Sequence, residues 1–210
     1  MVKDNCFLLI DFDGVIAQSF DAAFSVNQML CPGILKADYL KRFEGNINDW
    51  KKVPEGHSIA CRHDIDFMEV YVPKMKNEVA LFPGIAEVLR SLSSLYTLIV
   101  VSSTITSPIK EFLSTHSLLN YFTEVMGNDI HKSKIEKMKM VFVKYKTDAA
   151  HCVFITDTLG DLREASHVGV RALAVTWGFH DAATLAMGNP FCVINTSQEL
   201  AFGITDCFAK

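Results

Sequence analysis

Short apolar runs alternate with amphipathic stretches along most of the 210-residue chain. Six runs have the length of strands and are mainly apolar: FLLI, TLIVV, EVM, CVFI, RALAV and CVI. Continuous apolar runs are typical of strands that are buried on both faces. Helix-like stretches lie between them, namely GIAEVLRSLSS, SPIKEFLSTHS, SKIEKMKMVFVKY and LGDLREASHVG. This alternation predicts an α/β fold, with a parallel sheet and helices on both of its faces.

Two of the predicted helices carry recognisable starting residues. Ser107 followed by Pro108 is typical of an N-cap and a first helical position. Ser133, with Glu136 three residues later, fits a capping box, in which each residue satisfies a free N–H of the other. These pairs predict where the helices after the second and third strands begin.

One segment interrupts the alternation. Residues 15–82 contain no convincing buried strand and carry two helix-like pieces, FDAAFSVNQML and HDIDFMEVYVPKMK, joined by a polar loop. We therefore predict a core of residues 1–14 and 83–210, and a small helical domain of residues 15–82 inserted after the first strand. In that insert, Arg62 is a candidate contact for an anionic group. Trp50 is a candidate to pack over a small ligand.

The predicted strands end in polar residues that can bind a ligand. These are Asp11 and Asp13 after the first strand, Ser102 and Ser103 after the second, Lys132 and Lys134 after the third, and Asp157 and Asp161 after the fourth. Ligands bind at the carboxyl ends of strands in open parallel sheets, so we expect these side chains to converge. Four carboxylates would repel each other unless a cation lay among them, and oxygen ligands favour Mg²⁺. A lysine and a hydroxyl beside the metal favour phosphate as the bound anion.

This set of strand ends resembles the haloacid dehalogenase superfamily. The sequence DFDGVI at 11–16 is similar to its first motif and VVSS at 100–103 to its second. Lys132 or Lys134 is similar to the third motif, and ITDTLGD at 155–161 to the fourth. The resemblance implies a Rossmann-like core. The insertion after the first motif is similar to the helical C1 type of cap, which phosphoglycolate-phosphatase-like and β-phosphoglucomutase-like members share.

The resemblance implies a role for each catalytic residue. Asp11 is expected to attack phosphorus and form an aspartyl-phosphate. Asp13 is expected to protonate the leaving alcohol and then to deprotonate the water that cleaves the intermediate. Ser102 is expected to donate a hydrogen bond to the phosphate, and Lys134 to bind it.

The residues leave two choices open, one between two serines and one between two lysines, whereas the resemblance implies all four metal ligands together. Ser103 is as close to the strand end as Ser102, and Lys132 precedes the predicted N-cap Ser133 whereas Lys134, which we favour, follows it. The metal ligands that the resemblance implies are Asp11, Asp13, Asp157 and Asp161, and the metal is Mg²⁺.

Three functions are compatible with these residues. The favoured one is a Mg²⁺-dependent phosphatase that hydrolyses a small phosphorylated metabolite through an aspartyl-phosphate. A phosphomutase uses the same aspartates but needs a cap that keeps water out, and the polar loop of the insert is not expected to form a dry seal. A phospho-accepting signalling module is the poorest match, because such modules are shorter and need no cap.

Composition narrows the partners and the location. The net charge is −4 and no basic run occurs, so we do not expect nucleic acid as a partner. The longest apolar run is too short to span a bilayer, and no secretion signal is visible, so we expect a cytoplasmic monomer or dimer without a membrane partner. The six cysteines are scattered without a CxxC motif, which predicts free thiols, most of them buried.

Overall fold

The computed structural model describes residues 6–49, 61–62 and 64–209. Its centre is one parallel sheet of six strands in the order β3-β2-β1-β4-β5-β6. The strands are β1 (Phe7–Ile10), β2 (Thr97–Val101), β3 (Phe122–Met126), β4 (Cys152–Thr156), β5 (Arg171–Val175) and β6 (Cys192–Ile194). All six coincide with the predicted apolar runs, which confirms the α/β fold. Because β1 lies between β2 and β4, its carboxyl end is at the middle of the sheet edge.

Helices cover both faces of this sheet. They are α1 (Phe20–Leu30), α2 (Lys36–Lys41), α3 (Phe67–Glu78), α4 (Ile85–Ser93), α5 (Thr106–Thr115), α6 (Lys134–Tyr145), α7 (Leu159–His167), α8 (Ala182–Ala186) and α9 (Leu200–Ala209). Strand β1 shows why two layers form, because Leu8 and Ile10 face a core shared with α4, α5 and α9. Its other face carries Phe7 and Leu9 into a core shared with α6, α7 and α8. No helix in the described ranges is long and apolar enough to cross a bilayer.

The start of α6 lies where the sequence predicts it. Ser133 is its N-cap, and the Ser133 hydroxyl accepts a hydrogen bond from the Glu136 N–H. This contact is the first half of the predicted capping box.

The start of α5 differs from the prediction. The helix begins at Thr106, so the expected N-cap at Ser107 is wrong by two residues. A distant residue explains the shift: the Asp129 carboxylate, from the loop after β3, accepts a hydrogen bond of 2.7 Å from the Thr106 N–H. Pro108 then lies in the first turn, where N–H groups have no partner inside the helix and a missing one costs nothing.

The segment between β1 and α4 is helical in its described part. Helix α1 coincides with the first predicted helical stretch, and α3 begins within the second, at Phe67, with Asp66 as its N-cap. The short helix α2 was not predicted. The only strand-like pairing within residues 15–49, 61–62 and 64–82 is at isolated bridges of Ala17. Trp50 lies outside the described residues.

A disulfide within this segment corrects the expectation of free thiols. Cys31, which ends α1, is bonded to Cys61, whereas Cys6, Cys152, Cys192 and Cys207 lie outside this disulfide. The two cysteines are 30 positions apart, and the packing of α1 against α3 brings them together. The Arg62 N–H also donates a 2.7 Å hydrogen bond to the Leu30 carbonyl, which holds the two chain segments side by side. Sequence spacing alone carried no sign of this contact.

Candidate active site

The centre of the site is the end of β1. Asp11 continues the strand, and its N–H donates a 3.0 Å hydrogen bond to the Ile155 carbonyl of β4. The chain then turns away at Gly14, which has a φ of 75°. A Cβ atom at this position would lie 1.9 Å from a carboxylate oxygen of Asp157. Glycine therefore permits both the left-handed turn and the close approach of Asp157, which follows β4.

A buried lysine bridges two of the predicted carboxylates. The Lys134 Nζ atom lies 2.7 Å from Asp11 Oδ2 and 2.6 Å from Asp161 Oδ2, and all three side chains are buried. The Lys132 side chain, by contrast, is exposed. Of the two lysines that the sequence left open, Lys134 is therefore the one in contact with Asp11.

Burial and neighbouring charges shift the pKa values of this triad. Burial raises the pKa of Asp11 well above its ordinary value, against the opposing effect of Lys134, and the nearby carboxylates of Asp161 and Asp157 raise it further. Burial alone would lower the pKa of Lys134, but Asp11 and Asp161 raise it above its ordinary value. The lysine therefore stays charged and holds the two acids together.

The Asp161 carboxylate is fixed in a position where it can pair with Lys134. It lies in the first turn of α7, and its Oδ2 atom also accepts a 2.7 Å hydrogen bond from the Thr156 hydroxyl at the end of β4. Burial opposes its ionisation, yet Lys134 and these hydrogen bonds lower the pKa of Asp161 below its ordinary value. Asp161 is thus an ionised partner for Lys134.

Asp157 is buried and only half satisfied. Its Oδ2 atom accepts a 2.7 Å hydrogen bond from the Phe179 N–H, whereas its Oδ1 atom is buried without a hydrogen-bond partner. Burial raises the pKa of Asp157 to about 7. A buried carboxylate oxygen without a donor is costly unless a cation or a proton meets it.

Two residues that the sequence did not single out hold Asp13. The Tyr71 hydroxyl on α3 donates to Asp13 Oδ1 at 2.6 Å, and the Thr104 hydroxyl donates to Asp13 Oδ2 at 2.7 Å. Burial, and then the charge of Asp13, raises the pKa of Tyr71 well above its ordinary value. Thr104 directly follows Ser103 and extends the polar end of β2 by one residue, which is a signal that the sequence offers. Tyr71 is part of an apolar helical pattern and offers none.

The hydroxyls at the end of β2 divide between two tasks. Ser103 and Thr104 line the cavity described below, while Ser102 is fully buried, and its hydroxyl accepts a 3.0 Å hydrogen bond from the Thr104 N–H. The ammonium group of Lys137, one helical turn beyond Lys134, donates to the Ser102 carbonyl. Burial and the charge of Lys134 lower the pKa of Lys137 to about 8. Ser102 and Lys137 therefore support the loop from behind.

A cavity of about 360 Å³ lies above Asp11 and Asp13. The core contributes its floor, and the inserted segment contributes walls from α1, α2, α3 and the turns after α2. Arg42 is one of these wall residues, and its Nη1 atom donates a 2.7 Å hydrogen bond to Asn27 Oδ1. Arg62, the predicted anion contact, is not among the lining residues and forms an exposed ion pair with Asp64.

Polar contacts hold the inserted segment over the core. The amide of Asn46 donates to Glu164 Oε1 at 3.2 Å, and the amide of Asn48 donates to the Lys132 carbonyl at 3.0 Å. Arg163 donates to the Glu44 carbonyl at 2.5 Å. The insert is also tightly packed against α7, since a Cβ atom at Gly160 would lie 2.3 Å from a backbone oxygen of the insert.

The carboxylates fit a Mg²⁺ site of fewer protein ligands than the four-aspartate set. No group of three or more histidine, cysteine, aspartate or glutamate side chains within the described ranges is arranged to hold a metal. Both oxygens of Asp13 accept hydrogen bonds, and Asp11 and Asp161 both contact Lys134, which leaves Asp157 as the aspartate with an oxygen that has no hydrogen-bond partner. Mg²⁺ usually keeps several waters and takes one or two carboxylates together with phosphate oxygens. The orphaned Oδ1 atom of Asp157 suits that arrangement.

Comparison with known proteins places the chain in a family. A model of the haloacid dehalogenase-like hydrolase family matches residues 8–175, which include all of β1 except Phe7, strands β2 to β5, and the site residues from Asp11 to Asp161. The chain belongs to this family, as the four sequence motifs implied.

Two curated relatives carry the names of phosphatases. "Probable phosphatase IndB" of Dickeya dadantii is 32% identical over 138 residues, which cover 64% of this chain and 59% of that protein. A phosphoglycolate phosphatase of Synechococcus elongatus is 29% identical over 126 residues, which cover 60% of this chain and 59% of that protein. The matched region spans a little more than half the length of these relatives.

Solved structures share the fold at low sequence identity. A haloacid dehalogenase-like protein of Agrobacterium tumefaciens has a TM-score of 0.78 and 18% identity, with 97% of this chain and 99% of that chain covered. A haloacid dehalogenase-like hydrolase of Streptococcus pneumoniae has a TM-score of 0.71 and 18% identity, with 95% and 98% covered. These matches extend over the inserted segment as well as the sheet.

Proposed function

We propose that this protein is a Mg²⁺-dependent phosphatase that hydrolyses a small phosphorylated metabolite through an aspartyl-phosphate on Asp11. The observation that carries the proposal is the buried contact between Asp11 and Lys134 at the floor of a cavity. A carboxylate can attack an anionic phosphoryl group only where positive charge compensates both. The names of the two curated relatives support the same reaction class.

The residues of the chain divide the chemistry among them. Asp11 attacks phosphorus, and Lys134 neutralises the charge that Asp11 and the phosphoryl oxygens bring together. Asp13 gives a proton to the leaving alcohol and later takes one from the attacking water. Ser103 lines the cavity, and the Thr104 hydroxyl already donates to Asp13, so we assign the hydrogen bond to phosphate to Ser103, in place of Ser102.

Asp11 and Asp157 are the residues that would hold Mg²⁺. When bound, the ion would supply charge neutralisation for the phosphoryl oxygens. Asp161 acts by fixing Lys134, and Asp13, which Tyr71 and Thr104 orient, carries out the proton transfer. Each of the four aspartates at this edge of the sheet therefore has a proposed role: Asp11 and Asp157 toward the metal, Asp161 toward Lys134, and Asp13 in proton transfer.

The cavity that the inserted segment closes over the core favours a small substrate. We infer that residues 1–14 and 83–210 form the core and that residues 15–82 form a cap over the site. The cavity of about 360 Å³ is at the lower end of the usual range for ligand sites. A phosphorylated two- or three-carbon acid fits such a volume, and 2-phosphoglycolate is the first compound to test, because a relative carries that name. The cytoplasmic location and the monomeric or dimeric state stay predictions.

The test is a panel of phosphorylated metabolites assayed with Mg²⁺ for released phosphate. We expect turnover of at least one small monoester at about 1 s⁻¹ or faster, which is within the usual enzyme range, and complete loss of turnover in excess EDTA. Undiminished turnover in EDTA would contradict the metal assignment. The phosphomutase alternative is tested with a hexose 1-phosphate and a trace of the bisphosphate. Accumulation of the 6-phosphate in phosphorus NMR, without comparable inorganic phosphate, would overturn the choice of hydrolysis.

A further inference from the structure

The contact between Tyr71 and Asp13 joins the two parts of the molecule at the reacting centre. Tyr71 belongs to α3 of the inserted segment, and Asp13 follows β1 of the core. The distance between Tyr71 Oη and Asp13 Oδ1 is 2.6 Å, which is typical of an O–H···O⁻ hydrogen bond. Tyr71 is only 1% exposed, so water does not compete for this bond.

Two hydrogen-bond donors fix the orientation of the Asp13 carboxyl group. Thr104 holds Oδ2 from the core side, and Tyr71 holds Oδ1 from the insert side. Removing the tyrosine hydroxyl would free one oxygen and allow the group to rotate about its χ2 torsion, which is soft for aspartate. General acid catalysis depends on the proton lying in line with the leaving oxygen, so such a rotation would weaken it.

We propose that Tyr71 is a positioning residue for the proposed phosphatase reaction, one that orients the Asp13 carboxyl group toward the leaving oxygen when the inserted segment lies on the core. This inference rests on the proposed function. It makes proton transfer by Asp13 depend on the position of the insert, because its second hydrogen-bond donor comes from there. The contacts of Asn46 with Glu164 and of Asn48 with the Lys132 carbonyl hold the insert in the same position.

The packing around Tyr71 also supports a fixed ring. Its ring stacks on Phe67 one turn earlier in α3, with the centroids 5.2 Å apart. A ring held in this way places its hydroxyl without further loss of side-chain freedom. Tyr71→Phe would keep this packing and remove only the hydroxyl.

The experiment compares two substrates that differ in their need for an acid. The Tyr71→Phe variant and the wild-type protein are assayed on 2-phosphoglycolate, an alkyl ester, and on p-nitrophenyl phosphate, whose leaving group needs little protonation. We expect kcat/KM for the alkyl ester to fall about tenfold more than kcat/KM for the aryl ester, a part of the usual contribution of general acid catalysis. The ratio of the two values is informative because damage to the fold would lower both alike.

A matched control and a coupling test accompany this assay. Tyr145 also donates to a carboxylate, at 2.8 Å from Glu124, but lies on α6 away from the cavity. Tyr145→Phe should leave the substrate ratio unchanged. In an Asp13→Asn background, Tyr71→Phe should change kcat/KM for the aryl ester less than twofold, because residues that act as a unit are not additive. Equal losses on both esters, or a loss of more than twofold on the aryl ester in the Asp13→Asn background, would overturn the proposal.

A second measurement does not depend on activity. With ¹³Cζ-labelled tyrosine, the five tyrosines give five signals, and the Tyr71 signal should shift in Asp13→Asn while the Tyr145 signal stays in place. Single variants of the other four tyrosines assign the Tyr71 signal even if Tyr71→Phe does not fold. An unmoved Tyr71 signal would refute the contact. If the wild-type protein hydrolyses no ester of the metabolite panel, the proposed function fails, and this signal still decides whether Tyr71 holds Asp13.

Discussion

The strand ends and the inserted segment line the same cavity with different kinds of residues. Among the described residues, four acidic ones line it, and they all belong to the core: Asp11, Asp13, Asp161 and Glu164. The insert contributes mainly aromatic, aliphatic and amide side chains, and Arg42 is its single charged residue among the described lining. The reacting charges are therefore on one side of the cavity, and most of its shape comes from the other.

The difference follows from how each part is fixed. The end of β1 is held by hydrogen-bonded neighbours on both sides, so Asp11 and its surroundings have little freedom. Buried charges need such fixed partners, because each unpaired one is costly. The insert is held over the core by a few polar contacts and by Tyr71, which suits a part that admits the substrate.

The largest expected effect comes from the floor of the cavity. Asp11→Asn should lower turnover by about a thousandfold or more, since an amide does not replace a carboxylate nucleophile. The fold should remain, because Lys134 keeps its contact with Asp161 and the change removes a buried charge at constant volume. Steady-state kinetics and thermal unfolding check the two parts of this expectation.

The insert offers the matched control for that substitution. Asp21 is an exposed acid in the first turn of α1, away from the cavity lining. Asp21→Asn should retain the wild-type turnover. Near wild-type rates in Asp11→Asn would show that the nucleophile is elsewhere.

The next effect separates the two lysines near the start of α6. Lys134→Met leaves Asp11 and Asp161 buried without their cation, so we expect the free energy of unfolding to fall by about 3–5 kcal/mol, together with activity. Lys132→Met alters only an exposed side chain and should change it by less than about 0.5 kcal/mol. Urea unfolding of both variants measures the difference, and equal losses would contradict the role of Lys134.

The same contrast between the regions explains what the sequence predicted well. The six strands were predictable because each is a continuous apolar run buried on both faces. The acidic strand ends were predictable because polar residues at these points have a chemical meaning in a parallel sheet. Asp11, Asp13, Asp157 and Asp161 therefore appeared as one group before the structure placed them.

The contacts that the sequence missed depend on packing between distant segments. Tyr71 lies in an apolar helical pattern, and only the seating of α3 on the core brings its hydroxyl to Asp13. Cys31 and Cys61 meet because α1 packs on α3. The proposed assignment of the phosphate hydrogen bond to Ser103 and not to its neighbour Ser102 depends on the direction in which the loop turns after β2. None of these has a local sequence signature.

A smaller effect tests the insert through its disulfide. Cys61→Ser opens a link between residues 30 positions apart, and loop-closure entropy predicts a loss of about 3–4 kcal/mol in the free energy of unfolding. Cys192→Ser, at a partly buried cysteine outside this disulfide, should cost about 1 kcal/mol or less. Urea unfolding under non-reducing conditions compares the two. If both variants match the wild type, the insert does not depend on this link.

The smallest effect asks on which side of the cavity the metal is bound. Mg²⁺ that binds the folded protein should stabilise it by about 1.4 kcal/mol at ten times its dissociation constant, which raises Tm by a few degrees. Asp157→Asn should abolish this rise, because its orphaned oxygen is one of the two proposed ligands. Asp21→Asn in the insert should retain it. A rise that survives Asp157→Asn would move the metal away from the end of β4, and one that disappears in Asp21→Asn would assign part of the charge chemistry to the insert.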